Sequence, residues 1–226
     1  MKSLAKIVAM GLVMSSVPVT GAWAEDLKVP TRDQWDWKDS GYTYNAYSPC
    51  KHENNDYEDV TIFMNGNEQE DADNKFKPFN ALISEYSGYH FSATGNVYIK
   101  DSCFSYKSTN AVYTYFGDDE QPNIDFRGAE KVVIIANALK DGYGSQALSA
   151  KNGGCIAIAT QETGYTKIIG DIDMAHLKGG TISVDLNNKD SCWYGNETNI
   201  LDWGTLNLSI RNGAEWIYTT GEKTYS

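Results

Sequence analysis

The sequence predicts an all-β fold in which a short strand unit repeats and stacks, a parallel β-solenoid. The clearest repeat relates residues 180–188 to residues 204–212, position by position and without a gap. Both copies begin with Gly-Thr, carry an apolar residue at every second position and end in an Asn, and a Trp follows each. Such a unit cannot bury its apolar face alone, so it requires a similar neighbour. Asn188 and Asn212 are expected at one corner, where Asn tolerates a left-handed backbone.

The pattern continues upstream with less regularity. First apolar strand positions fall near residues 132, 156, 182 and 206, which are almost evenly spaced. Other predicted features are strands at 42–44, 60–64, 111–116, 124–126, 154–158 and 167–172, a hairpin turn at Gly95-Asn96 and one helical turn within 78–86. Spacing of about 20–30 residues with Gly and Asn punctuation favours a solenoid. The alternative is a β-sandwich, whose strands recur about every 8–12 residues.

Residues 1–24 have the pattern of a secretory signal peptide. Lys2 and Lys6 supply a positive start, and an apolar run follows from Ile7 to Val19. Small residues end the segment, which places the cleavage site between Ala24 and Glu25. The alternative is a membrane anchor, but the run is shorter than the roughly 18–20 residues that a span requires. The chain is therefore expected to be exported.

The charge of the remaining chain disfavours nucleic acid and anionic lipid as partners. Residues 25–226 are enough for one domain with a sizeable core. The formal net charge is −11, and it becomes −13 without Lys2 and Lys6. An acidic surface repels polyanions, and basic clusters are absent from the sequence. Only three arginines occur, which also argues against phosphate recognition.

The composition divides the exported part into two regions. Residues 25–59 are rich in Trp, Tyr, Asp and Asn and poor in aliphatic residues, which predicts an irregular N-terminal cap. The alternative for this aromatic stretch is a platform that stacks sugars. Residues 60–226 are expected to form the solenoid, with the clearest repeats at 123–218.

Four cysteines permit disulfides but not a familiar metal site. They are Cys50, Cys103, Cys155 and Cys192, which lie far apart in the sequence. No paired C-x-x-C spacing is present, so zinc ligation is not expected. In an exported chain two disulfides are allowed, in three pairings. Four free thiols that behave as small apolar residues are the alternative.

The repeats resemble the passenger region of bacterial autotransporters, the pertactin-like right-handed β-helices. The resemblance is carried by Ile169-Gly-Asp-Ile172, by residues 179–188 and most specifically by residues 204–216, a strand, an Asn-Gly turn and a Trp that opens the next strand. It covers residues 123–218 and implies a right-handed parallel β-helix.

The resemblance also implies more chain than is present. Members of that family continue into a linker and a C-terminal membrane β-barrel. This sequence ends at Ser226, just after a repeat. We therefore expect a truncated reading frame or the N-terminal part of a longer protein.

A search for catalytic motifs finds no nucleophile elbow, no zinc-protease motif and no P-loop. Residues 142–147 mimic a dinucleotide-binding loop but lack the acidic residue about 20 positions on, so a simple loop is predicted. No cofactor and no metal are expected. The three histidines, His52, His90 and His176, are scattered, and a surface or hydrogen-bonded role is predicted for each.

A weaker hypothesis is enzymatic, because β-helices also host polysaccharide lyases and hydrolases. Such a site needs clustered carboxylates and a cation. The candidate carboxylates are Asp118, Asp119, Glu120, Asp171 and Asp173, and the candidate cations are Arg127 and Arg211. Asp171 and Asp173 are expected to point outward on a strand whose Ile172 points inward.

The sequence therefore predicts an exported, surface-displayed passenger fragment that acts in adhesion or self-association. Its partners would be host-surface molecules, bacterial-surface molecules or other copies of itself, with no nucleic acid and no membrane span in the mature fragment. A secreted polysaccharide-degrading enzyme and a structural spacer are the alternatives.

Far-ultraviolet circular dichroism of residues 25–226 tests the fold class. The expected spectrum is that of a β-protein with very little helix, because the repeats contain strands and turns only. Substantial helical signal at 222 nm would contradict the solenoid.

Overall fold

The computed structural model describes residues 42–44, 55–64, 80–84, 90–101, 110–117, 121–136, 146–174, 179–198 and 204–218. Within these ranges the regular structure is entirely β-strand, in eighteen segments. The strands are β1 (Tyr42–Tyr44), β2 (Asn55–Tyr57), β3 (Val60–Met64), β4 (Asn80–Ser84), β5 (Phe91–Ala93), β6 (Asn96–Asp101), β7 (Asn110–Tyr115), β8 (Ile124–Arg127), β9 (Lys131–Ile135), β10 (Gln146–Lys151), β11 (Cys155–Ala159), β12 (Tyr165–Ile169), β13 (Asp171–Asp173), β14 (Thr181–Leu186), β15 (Cys192–Tyr194), β16 (Glu197–Thr198), β17 (Thr205–Ile210) and β18 (Glu215–Ile217).

The strands form three sheets. Sheet A has the order β1-β3-β6-β9-β12-β15-β18, sheet B has β16-β13-β10-β7-β4, and sheet C has β17-β14-β11-β8-β5-β2. Neighbouring strands in each sheet are parallel, and one isolated antiparallel bridge joins Lys151 to Gly179. The fold is thus all-β with three parallel sheets, and the alternative of an antiparallel β-sandwich is wrong.

From β3 onward the chain visits the sheets in the constant order A, B, C. We call one such set of three strands a repeat. Each strand therefore pairs with its equivalents in the preceding and following repeats. β1 and β2 lie within residues 25–59, so parallel pairing in sheets A and C begins before residue 60.

The predicted duplication at the end of the chain is confirmed by the strand register. Thr181 pairs with Thr205 and Leu186 with Ile210, so β14 and β17 match at the offset that the sequence predicted. Trp193 pairs with Trp216, the aromatic residue that follows each copy.

Three local predictions are wrong. Gly95-Asn96 does not close a hairpin, because β5 and β6 belong to sheets C and A and each pairs in parallel with other repeats. The helical turn predicted within 78–86 is replaced by β4. The single strand predicted over 167–172 is two strands, since the chain passes from sheet A to sheet B at Gly170.

The series 132, 156, 182 and 206 also mixes two sheets. Val132 lies in sheet A, whereas Ile156, Ile182 and Leu206 are aligned in sheet C. The residue that aligns with Ile156 in the preceding repeat is Ile124, which lies further back in the sequence than Val132. The repeats are therefore longer upstream than the spacing predicted.

One hydrophobic cluster contains side chains from all three sheets, including Ile134 of sheet A, Leu148 of sheet B and Ile158 of sheet C. Equivalent apolar residues stack on each other, as Ile182 does on Leu206. Burying a side chain of this size contributes about 1.5–3 kcal/mol. Stacked aliphatic columns are thus the main stabilising feature that the repeat supplies.

Amide side chains satisfy buried backbone groups where sheet C leads into sheet A. Asn187 donates from Nδ2 to the carbonyl oxygens of Thr160 at 2.8 Å and Gln161 at 3.1 Å in the preceding repeat. Asn212 in turn donates to the carbonyl oxygen of Asn187 at 3.0 Å. Asn212 has the left-handed backbone predicted for this corner, with φ of 56°, but Asn188 does not share it.

Two tryptophans form a second ladder where sheet A leads into sheet B. The rings of Trp193 and Trp216 stack with centroids 4.7 Å apart and an angle of 3°. Their Nε1 groups donate to the carbonyl oxygens of Gly170 and Gly195, both at 3.0 Å. Gly170 has φ of 123°, and a Cβ there would lie 2.6 Å from the Cβ of Ala136, so only glycine fits this corner.

Burial falls at the C-terminal end of the described stack. Ile182, Val184 and Leu186 of β14 are buried, whereas the aligned residues of β17 are only half-buried. Within the described residues no strand pairs with the outer edge of β17. The described part of the chain contains no helix that is long and apolar enough to cross a membrane.

Replacing Asn187 tests the corner ladder. Asn187→Ala leaves the carbonyl of buried Thr160 without its side-chain donor, so the free energy of unfolding should fall by about 2 kcal/mol. Urea denaturation measures it. Asn207→Ala is the matched control, because Asn207 bonds Ser183 on the exposed face, and it should cost about 0.5 kcal/mol or less. Equal losses in the two variants would contradict a special role for the corner.

Candidate functional site: an aromatic corner on sheet B

The outer face of sheet B carries a row of aligned side chains that point away from the core. Ile83, Tyr113, Ser149 and Asp173 occupy successive strands at matching register positions. The preceding residue in each strand belongs to the hydrophobic cluster. Because side chains alternate along a strand, the aligned row faces outward. This row combines aliphatic, aromatic, hydroxyl and charged groups, and all four of its residues are buried.

Five residues at the end of this face form what we call the aromatic corner: Tyr113, Tyr115, Phe116, Lys151 and Asp173. The Tyr113 and Tyr115 rings stack with centroids 6.2 Å apart, and Tyr115 meets Phe116 edge-on at 4.3 Å. Lys151 places Nζ 5.9 Å from the centre of the Tyr113 ring. The same ammonium lies 3.4 Å from Oδ2 of Asp173.

Phe116 is unusual in both exposure and backbone conformation. Its side chain is 49% exposed, and among the described residues only Tyr218 is a comparably exposed large apolar side chain. Its φ is 67°, in the left-handed region that bulky residues rarely occupy. Tyr115 pairs with Lys151, the last residue of β10, so the next residue, Asn152, is the equivalent of Phe116 in the following repeat. Asn152 has φ of 50°. The corner therefore requires a left-handed residue, and one repeat supplies Asn where the other supplies Phe.

Asp171 and Asp173 lie on the outward side of β13, as expected, but both are buried, at 4% and 1% exposure. Asp171 accepts a hydrogen bond from the backbone N–H of Asn196 at 2.9 Å. Asp173 has Lys151 as its counter-ion, and the Thr198 hydroxyl lies 3.5 Å from Oδ1. These contacts give both carboxylates a role in holding neighbouring repeats together.

The structure does not bring the candidate arginines to these carboxylates. Arg127 of sheet C contacts Asp125 with Nε–Oδ1 of 2.9 Å. Arg211 directly follows β17 of sheet C and contacts Asp185 of β14 with Nε–Oδ1 of 3.0 Å. The hydrogen bond from each arginine to its aspartate raises the pKa of the guanidinium above its ordinary value. Each cation is thus already paired.

The remaining predicted ligands and acid–base groups are also dispersed. Asp118, Asp119, Glu120, His52 and His176 lie outside the described residues. The Nδ1 atom of His90 lies 2.7 Å from the carbonyl oxygen of Pro122, the hydrogen-bonded role predicted for it. Among the described residues no group of three or more His, Cys, Asp or Glu side chains could hold a metal ion.

Both cysteines in the described part of the chain are free thiols. Cys155 is half-buried on sheet C, and Cys192 is buried on sheet A. Burial raises the pKa of Cys192 to about 11 and also raises the pKa of Cys155. Cys50 and Cys103 lie outside the described residues, as do Ala24 and Glu25 at the predicted cleavage site.

The sequence did not reveal the aromatic corner, because its members come from three neighbouring strands of sheet B that are unequally separated along the sequence. Tyr113 and Tyr115 lie in β7, Lys151 in β10 and Asp173 in β13. β10 itself was not predicted, since Gln146-Ala-Leu-Ser-Ala has only one large aliphatic residue. The available signal was Phe116-Gly117, a bulky residue beside glycine at the end of an alternating strand.

Comparison of the chain with protein-family models, with curated proteins and with solved structures finds no match.

Chemically, the aromatic corner is suited to holding a ligand. It combines an exposed ring with a half-buried cation, whose counter-ion is the buried carboxylate of Asp173. Stacking and hydrogen bonding are the interactions that such groups supply.

Exchanging the two left-handed residues tests the strain at Phe116. Phe116→Asn removes a left-handed penalty of about 1–2 kcal/mol and an edge-on ring contact of about 0.5–1.5 kcal/mol, so the free energy of unfolding should rise by about 0.5 kcal/mol. The reciprocal change Asn152→Phe introduces the penalty without the ring partner and should lower it by about 1 kcal/mol. Urea denaturation of the two variants measures both. A loss of more than about 1 kcal/mol in Phe116→Asn would show that Phe116 serves stability.

Proposed function

We propose that this chain is an exported, surface-displayed passenger protein that acts by contact, in adhesion or self-association. Its three parallel sheets wind as a right-handed parallel β-helix, and the outer faces of those sheets make the contacts. The single observation that carries the proposal is the constant A, B, C order of the strands around one hydrophobic cluster, which leaves alternate side chains of β12, β14 and β17 partly or fully exposed.

The winding is supported by the strand order and by a general rule of chain handedness. Each sheet is parallel, and every return to the same sheet passes through the other two. Crossovers between parallel strands are right-handed in about 98% of cases. One core lined by all three sheets fits a coil in which each repeat covers the previous one.

A contact function is favoured over catalysis by the distribution of charged side chains. The described carboxylates that were candidates for catalysis lie on sheet B, and the candidate arginines pair with aspartates of sheet C. A hydrolase or lyase site needs such groups to converge. A repeated outer surface instead offers many weak contacts along one direction.

Export and display are supported by the sequence. Residues 1–24 have the three-part pattern of a signal peptide, and the acidic charge suits an exposed, soluble surface. The resemblance of residues 123–218 to autotransporter passengers supplies the class of surface protein. The host surface, the bacterial surface and other copies of the chain are the proposed partners.

Beads coated with the purified processed chain test the function. The coated beads should either aggregate or attach to cultured epithelial or bacterial cells, because many copies on one surface multiply weak contacts. Light scattering measures aggregation, and counting by microscopy measures attachment. Beads coated with the heat-unfolded chain are the control and should lose both properties. Coated beads that neither aggregate nor attach more than albumin-coated beads would refute the proposal.

A further inference from the structure

We propose that the aromatic corner is a carbohydrate-binding site, with the Phe116 ring as the platform on which a neutral sugar stacks. This inference deepens the proposed contact function and rests on it. It assigns the contact to one place on sheet B and to one chemical class of ligand.

Phe116 is strained at a corner where another residue type is less strained in the same molecule. Asn152 occupies the equivalent corner in the next repeat and adopts the same left-handed backbone at lower cost. Phe116 is also half-exposed, so burial does not compensate for the strain. Strain of this kind concentrates at functional sites. The position is best explained by a use for the exposed ring.

Neighbouring residues support the Phe116 ring. Tyr115 meets Phe116 edge-on at 4.3 Å and 70°, and Tyr115 itself stacks on Tyr113. The Asn123 side chain lies 3.4 Å from the carbonyl oxygen of Phe116. These contacts hold the ring in a set orientation, which lowers the entropy that a ligand would have to remove on binding.

The aromatic corner also contains a cation that solvent can reach. The Lys151 side chain remains 23% exposed, and the buried Asp173 carboxylate lies 3.4 Å from its ammonium. A sugar ring presents an apolar C–H face to an aromatic side chain and a rim of hydroxyls that can accept hydrogen bonds. The corner therefore offers an aromatic face and, in Lys151, a hydrogen-bond donor.

The negative charge of the chain disfavours anionic carbohydrates as ligands. The chain carries a formal net charge of −11, and Asp118, Asp119 and Glu120 follow Phe116-Gly117 in the sequence. An anionic sugar would be repelled by such a field. The Lys151 cation is already paired with Asp173 and does not reverse it. A neutral hexose polymer is therefore the ligand class we infer.

Saturation-transfer nuclear magnetic resonance on the processed chain tests the proposal with three probes: cellohexaose, mannohexaose and, as the acidic comparator, hexagalacturonate. At least one neutral hexasaccharide should receive saturation, and hexagalacturonate should receive none. Phe116→Asn should weaken binding by about tenfold or more, as loss of a central contact residue does. Phe116→Tyr keeps the ring and should bind as the parent does. Tyr218→Asn removes the other strongly exposed aromatic side chain among the described residues and should leave binding unchanged.

Two results would overturn the site. One is the absence of saturation on both neutral sugars. The other is equal sugar binding by the parent chain and by Phe116→Asn, with circular dichroism showing that the variant is folded. Bead assays separate this failure from that of the proposed function. If coated beads still attach or aggregate while sugars do not bind, only the carbohydrate site is refuted, and if the parent beads do neither, the contact function fails as well.

Discussion

Parallel pairing between consecutive repeats is the constraint on which the rest of the structure depends. Each interior strand bonds to its equivalents in the repeats before and after it, so the chain must return to nearly the same position each time it completes three strands. Backbone groups at the corners also bond between repeats, as the N–H of Gly170 does to the carbonyl oxygen of Tyr194 at 2.9 Å. Asn187 and the two tryptophan Nε1 groups add side-chain hydrogen bonds to corner carbonyls of the preceding repeat. Hydrogen bonding between repeats thus continues from the sheets through the corners.

The sequence predicted the last repeats best, because these repeats are short and one spacing relates their paired positions. From β14 to β17 a single constant offset relates every paired position, as it does for Ile182 and Leu206. Upstream, Ile62, Ile99 and Ile134 are equivalent, and the repeats between them are longer and unequal in length. A variable spacing conceals the alignment from any search for a fixed period. Val132 was consequently placed in the wrong column, since it fell at the expected distance but in another sheet.

The aromatic corner could not be found in the same way, because a stacked core and an outer face impose different rules. Inward positions must be apolar in every repeat, so Leu82, Val112 and Leu148 resemble one another. Outward positions carry no such requirement, and Tyr113, Ser149 and Asp173 share no chemistry that a pattern search could use. Only the register places them side by side. The corner at Phe116 was further concealed because a left-handed backbone is a property of the fold and not of phenylalanine.

The lengths of the connections differ sharply between corners. Thr94 and Gly95 alone lead from sheet C into sheet A, and Glu58 and Asp59 do the same one repeat earlier. From sheet A into sheet B the chain uses residues 65–79 in one repeat and Gly170 alone in another. Sequence can thus be inserted or deleted at the second kind of corner while the strand register is kept, at an entropic cost that grows only slowly with length. Related proteins are therefore expected to differ in length mainly at this corner, because the strand register does not depend on how many residues join sheet A to sheet B.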